Sequence, residues 1–325
     1  MTPPRWLGRA ARVAFLVLAA VLLVAGLQGQ GHAVLDAVGR IGPLSVAGSL
    51  VAVLAGLLAS GLVWRSVLAD LGSPLPVRTA VHVFFLGQLG KYLPGSVFAV
   101  AAQMELGRGQ GLPRSRIASA GLVFMAVLTA SGLAVAAATL PLAGPAALRR
   151  YGAVLLLLPV LAVGLAPPVL TRLLGLVLRV LRRPPLERPL SAAGIGAAFG
   201  WALVMWACYA LHVLLLAGPQ HLGGDAARHA AVLPLTALGG YALAWTAGFL
   251  FVVAPAGAGV REAALTLVLL PALGRPAATA VALVSRALMT VGDLAWGAFG
   301  AATRPGPPQV GTVGEVRQLG KAAER

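Results

Sequence analysis

Long apolar runs separated by short charged loops set the pattern of this chain. A membrane-spanning helix needs about 20 apolar residues. Runs near that length lie at 13–28 or slightly beyond, 44–64, 117–140, 152–171, 190–216 and 277–303, which predicts six full spans. Two further runs have the composition of a span but not its continuity. From 79 to 104 the only charged residue is Lys91, and the run is interrupted at Leu93-Pro94-Gly95. Its halves, at about 12 residues each, reach roughly 18 Å at 1.5 Å per residue, short of the ~30 Å of hydrocarbon. From 230 to 260 there is no charge at all. That run is interrupted at Gly239-Gly240 and again at Pro255-Ala256-Gly257-Ala258-Gly259, and Arg261-Glu262 and a short apolar stretch to 274 follow.

Proline removes a backbone donor and clashes with the preceding turn, and glycine loosens the backbone. At membrane depth such breaks are tolerated only where they are buried in protein or line a watery cavity. Both broken runs therefore predict re-entrant helical hairpins; one kinked spanning helix is the alternative at the first. The loop with Arg172, Arg179, Arg182, Arg183 and Arg188 is the most basic, and 173–181 predicts an interfacial amphipathic helix. Arg5, Arg9 and Arg12 before the first run resemble a signal peptide, but no small-residue cleavage site follows, so an uncleaved helix is expected. The expected domains are a membrane domain over 1–303 and a flexible polar cytoplasmic tail over 304–325.

Composition agrees. The chain is 59% hydrophobic and 10% charged, with mean hydropathy +0.89, against about 25% charged for a soluble domain. A net charge of +16 would suggest nucleic acid in a soluble protein. Here the cations flank membrane segments and meet anionic lipid, so no nucleic-acid partner is expected. With a cytoplasmic N-terminus and both broken runs as hairpins, most arginines fall on the cytoplasmic side. Only Arg40, Arg149, Arg150, Arg228 and Arg275 fall outside, which obeys the positive-inside rule. The first hairpin then enters from the cytoplasm and the second from outside. The expected fold is an all-α polytopic membrane protein: about six full spans plus two opposed re-entrant helical hairpins in an inverted repeat, a plan that places a midplane site in transporters. The Ala, Gly, Leu, Val and Arg richness suggests a GC-rich bacterial genome, hence the bacterial inner (plasma) membrane, with both termini cytoplasmic.

Nine acids, well spread along the chain, exclude a local carboxylate pair or a DxD motif. No HExxH, GxxxxGK[ST] or GxSxG sequence occurs. No catalytic residue, metal or cofactor is expected, and the chain is not expected to be an enzyme. Cys208 reads as a small buried residue. His82 and His212, in apolar helices, read as satisfied core residues rather than ligands. The intramembrane ionisable groups carry more: Lys91, Glu105, Arg261, Glu262, Arg286 and Asp293 lie in or beside apolar runs. A charge at the bilayer centre costs about 2.5–3.5 kcal/mol on insertion scales. Two readings explain such groups. They pair structurally, or Lys91, Arg261 and Arg286 present positive charge to a lipid phosphate, assisted by half-helix N-termini at the breaks. Glu105 and Glu262 would then position the cations or titrate. The tryptophans read as belt and packing residues; Tyr92, beside the break, is the aromatic exception. Gly56 with Ser60 and Gly196 with Gly200 have helix-packing spacing.

The stretch GQLGKYLPGSVFAVAAQMELGR at 87–108 resembles the Leu-Pro-Gly…Glu block of the lysylphosphatidylglycerol synthase transmembrane, or flippase-like, family. PAGAGVREAAL at 255–265 is similar to its Pro-Gly-Gly-x-Gly-x-x-Glu block, and Arg286 matches its late arginine. The chain departs in having Ala256 where glycine is frequent, and Gln103-Met104-Glu105 in place of Gly-Glu-x-x-Arg. The resemblance implies movement of lipids, such as aminoacylated phospholipids or polyprenyl-linked sugars, between leaflets. Full synthases add a soluble C-terminal transferase, which the short tail here leads one not to expect. Together these observations predict a lipid flippase passing an anionic or lipid-linked head group between the hairpins. Its binding residues would be Lys91, Tyr92, Pro94, Gly95, Glu105, Pro255, Gly257, Gly259, Arg261, Glu262 and Arg286. The alternatives are a secondary exporter of a small solute and a non-transporting membrane partner of a cell-envelope glycosyltransferase.

Overall fold

The computed structural model describes residues 31–92, 97–180, 182, 186, 188–218, 226–251 and 255–303. Every element among them is helical: α1 (Gly31–Arg40), α2 (Pro43–Asp70), α3 (Val77–Gln88), α4 (Val97–Arg108), α5 (Arg114–Thr139), α6 (Pro145–Tyr151), α7 (Leu157–Leu165), α8 (Pro167–Val180), α9 (Ala192–Ala217), α10 (Ala226–Leu250), α11 (Val260–Leu273) and α12 (Arg275–Ala302). Short 3-10 turns at Leu89–Tyr92 and Pro255–Gly257 follow α3 and precede α11.

Five of these stretches are long and apolar enough to cross a membrane: α2, α5 with its extension to Ala143, α9, Val232–Leu250 of α10, and α12. A sixth results if Gly152–Leu165 and Pro167–Val180, bent by 73° at their junction, count as one. The bend follows from Pro167-Pro168: the residue before a proline is driven out of the helical region, and Ala166 has ψ 131°. Proline at the first helical position is itself well tolerated, so α8 begins at once. It is therefore longer than the amphipathic stretch expected at 173–181, and it turns Leu170, Leu174 and Leu178 inward while Leu173, Leu176 and Val180 are exposed. The apolar run expected at 13–28 lies outside the described residues.

The expectation that Gly239-Gly240 interrupts its run does not hold. Helix α10 continues through both glycines for 25 residues. Their role is close packing: a Cβ on Gly239 would strike Thr139 and Leu140, and one on Gly240 would strike Val268. Gly56 behaves as its spacing suggested and seats the Tyr209 ring between α2 and α9. A Cβ on Gly196 or Gly200, by contrast, would meet nothing within 4 Å; they sit on the open side of α9 and mediate no packing among the described residues.

The broken runs fold back on themselves. Gly87 of α3 lies against Gln103 of α4, and Gly90 against the backbone of Phe98 and Ala99. In the second run, Gly240 and Gly248 of α10 lie against Val268 and Arg261 of α11. The two 3-10 turns touch each other. Among the described residues, loops and helix ends meet in two groups. At one, Arg65 donates to the Leu75 carbonyl, Arg116 to that of Gly72, and Arg78 to that of Thr303, while Ser191 is bound to Asp70. At the other, Val34 and Ala37 of α1 pack on Ala277, Ala280 and Leu273, next to Arg275.

Candidate functional site

Helix α12 carries the polar groups that join both breaks. Arg286, Thr290 and Asp293 are spaced i, i+4, i+7 and so share one face. Asp293, 5% exposed, accepts from Lys91 Nζ at 2.7 and 2.8 Å and from the Tyr92 hydroxyl at 2.6 Å. Two turns earlier, Arg286 Nη1 donates to the Ala256 carbonyl at 2.8 Å, and its Nε lies 3.6 Å from Glu262 Oε1. One helix thus holds the turn that ends α3 and the turn that precedes α11.

The second turn needs unusual backbone. Ala256, Gly257 and Gly259 have φ of 50°, 69° and 84°, a region only glycine visits at little cost. Gly257 is also in contact with Gly248, with no room for a side chain between them. Glu262 Oε2 accepts from the Gly259 amide, so this carboxylate satisfies a free donor at the start of α11. Next to it, Arg261 places its guanidinium 4.7 Å from the Tyr241 ring centroid. Its Nη2 is shut away from solvent and has no hydrogen-bond partner among the described residues.

These groups surround a cavity of about 160 Å³. It admits on the order of ten waters, or a group of phosphate-ester size. Phe84, Phe85, Tyr209, Trp245 and Phe249 supply aromatic wall, and Gln88, Lys91, Tyr92, Arg261, Arg286 and Asp293 supply polar wall. Of the residues expected from sequence, Lys91, Tyr92, Gly257, Arg261 and Arg286 come together here. Glu262 stands one contact behind, against Arg286, and Gly259 is exposed at the start of α11. Pro255 opens its 3-10 turn. Pro94 and Gly95 lie outside the described residues.

Glu105 is elsewhere. It is 55% exposed and takes Arg108 and Arg114 at 2.6 Å each, at the arginine-rich end. Hydrogen bonds from Arg114 and then Arg108 hold its carboxyl below the usual carboxylate range. Its i, i+3 spacing to Arg108 was the signal of a surface pair. Asp293, named among the intramembrane groups but left out of the expected binding set, is the hub instead. Gln88, a lone polar residue one turn before the break, was a second available signal.

His82 and His212 have partners, as expected of core residues. His82 Nδ1 is 2.7 Å from the Gly300 carbonyl oxygen, and His212 bridges Ser49 at 2.5 Å and Ser285 at 2.8 Å.

Long apolar helices around a charged internal cavity define a multi-pass helical membrane protein. The family model for the lysylphosphatidylglycerol synthase TM region matches residues 10–297. The chain belongs to that family, matching its membrane region and thereby associating it with lipid-related processes. No curated protein matches the chain.

Proposed function

We propose that this protein is a lipid flippase. It would move an anionic or lipid-linked head group, of a phospholipid or a polyprenyl-linked lipid, between leaflets while the tails stay in the bilayer. In this reading it makes and breaks no covalent bonds. α3 with α4, and α10 with the shorter α11, act as two re-entrant hairpins entering from opposite faces, although α10 by itself reaches the length of a span, beside six full spans that include the run at 13–28 and the bent pair of α7 and α8. The membrane is the bacterial inner membrane, both termini are cytoplasmic, and a cell-envelope enzyme would be a further partner.

The observation that carries this reading is the cavity at the meeting of the two turns, where three cations converge and one of them, Arg261, has an unmet donor. Cations inside a membrane protein face a polar pathway or a partner. A guanidinium with a free N–H suits a phosphate oxygen. Aromatic wall beside it gives the upper acyl chain or prenyl an apolar surface.

The deciding experiment reconstitutes the full chain in proteoliposomes and follows labelled phospholipid and polyprenyl-phosphate lipids across the bilayer, with and without a pH gradient. Transport of at least one lipid above protein-free vesicles is expected, and its reduction by about tenfold or more in Arg286→Gln. Failure of every lipid to cross under both conditions would remove the flippase reading. Uptake of a small solute in the same vesicles would then favour an exporter.

A further inference from the structure

We propose that Arg286 is a two-position latch. Bound to the Ala256 carbonyl, it holds the turn before α11 against the cavity; moved onto Glu262, it lets that turn open. The inference rests on reading the cavity as a transport pathway and adds which turn opens it, and toward which end.

It follows from one bond made and one bond missing. Arg286 Nη1 donates to the Ala256 carbonyl at 2.8 Å. Its Nε stands 3.6 Å from Glu262 Oε1, beyond hydrogen-bond reach. In this position the guanidinium serves one acceptor and falls short of the other. Glu262 Oε1 is buried and has no hydrogen-bond partner among the described residues, while Oε2 is taken by the Gly259 amide. A buried charged acceptor left unmet is costly. Arg261, the next residue, does not fill it. Neighbours along a helix do not face each other, and its guanidinium lies against the Tyr241 ring. Arg286 turned onto Glu262 would form a charge-assisted arginine–carboxylate pair and give up Ala256.

The held turn is also strained. Ala256 sits at φ 50°, which penalises a residue with a side chain. Opening relieves Ala256 and satisfies Glu262; staying keeps the Ala256 bond and the contact of Gly257 with Gly248. Two arrangements with opposing gains make an element bistable. The turn after α3 has no such second position. Both oxygens of Asp293 are engaged, by Lys91 and Tyr92, and neither is left unmet. α12 thus holds that turn as a fixed wall and the turn before α11 as a gate. From the gate, α11 runs to Leu273, which packs beside α1 next to Arg275. Opening therefore exposes the cavity toward the end that carries Arg275.

Ser60, on the α2 wall of the cavity and 7% exposed, can report the gate. Ser60→Cys on a Cys208→Ala background is reacted with the membrane-impermeant 2-sulfonatoethyl methanethiosulfonate. The full chain is used, in right-side-out and in inside-out vesicles. Arg286→Gln, which removes the latch, should raise the rate from the face carrying Arg275 by about tenfold or more. Glu262→Gln keeps an acceptor for the Gly259 amide but leaves no oxygen for Arg286, so it should lower that rate by about tenfold. Ala256→Gly, which relieves the held turn without touching a charge, should lower it too. The rate from the opposite face should change little in all three. Changes in the same direction in Arg286→Gln and Glu262→Gln, as an ordinary ion pair would give, or equal changes at both faces, would overturn the proposal. If Arg286→Gln does not elute as a single folded peak, an unchanged or higher rate in Glu262→Gln and Ala256→Gly overturns it alone. Opposite changes with no lipid crossing in proteoliposomes would keep the latch and remove the flippase reading. Lipid crossing with changes in the same direction would do the reverse.

Discussion

At the scale of single residues, Asp293 has the largest share of the site's polar contacts. Its side chain is nearly shut from solvent and holds Lys91 and Tyr92 together. Removing one partner of a fully buried pair costs about 3–5 kcal/mol. Lys91 stays 30% exposed and keeps part of its hydration, so Asp293→Asn is expected to cost about 2–3 kcal/mol, below that range. Thermal unfolding in detergent measures this. Adding Lys91→Met should recover part of the loss, because the orphaned ammonium is then gone. No recovery would mean that the pair is not what holds the turn. The site's cations were legible in the sequence, because a lysine or arginine inside an apolar run stands out against its neighbours. Its carboxylate hub was only half legible, since Asp293 is marked by composition but its partners are about 200 residues away. The aromatic wall was not legible: in a membrane protein apolar side chains face lipid, core and cavity alike, and no spacing separates Phe84 or Trp245 from the rest.

At the scale of elements, the turn before α11 sets two adjacent residues in the left-handed region with opposite consequences. Ala256 at φ 50° bears a penalty of roughly 1–2 kcal/mol that glycine would not. Glycine in turn adds about 0.4–1 kcal/mol of unfolded-state entropy. The first effect is the larger, so Ala256→Gly is expected to stabilise the protein by up to about 1 kcal/mol. Gly257→Ala bears the same backbone penalty at φ 69° and also drives a Cβ to 2.8 Å from the Gly248 backbone. Nothing there can rotate away, so a loss of more than about 2 kcal/mol is expected. Melting temperatures of the two variants should therefore move in opposite directions; equal shifts would mean that the turn is not held in this conformation. The Pro/Gly pattern marked this turn correctly. It misread Gly239-Gly240 because a glycine pair has two uses, to end a helix or to let another helix close in. Only Thr139 and Val268, distant in sequence, show that the second applies.

At the scale of the whole molecule, the arginines provide a test of how the chain lies in the membrane. Arg65, Arg78, Arg108, Arg114 and Arg116 belong to loops and helix ends that gather at one end, with Thr303. Arg275 lies at the other, beside α1. Each cation near an anionic leaflet contributes about 1 kcal/mol, so this clustering favours placing the first end in the cytoplasm. The hairpin and the kinked-span readings of 79–104 then differ in parity. A hairpin returns the chain to the side it left, so Arg78 and Arg114 face the same compartment. A kinked span puts them on opposite sides, although Arg116 reaches the Gly72 carbonyl at 3.2 Å and Ser73 at 2.8 Å. Single cysteines placed by Arg78→Cys, Arg114→Cys, Arg149→Cys, Arg182→Cys and Arg275→Cys on a Cys208→Ala background separate the two. With a membrane-impermeant maleimide on intact cells, Arg149→Cys and Arg275→Cys should label, while Arg78→Cys, Arg114→Cys and Arg182→Cys should label only after permeabilisation. Labelling of Arg114→Cys but not Arg78→Cys from outside would make the first broken run a kinked span. It would also separate the two turns from the opposed entry on which transport between leaflets depends.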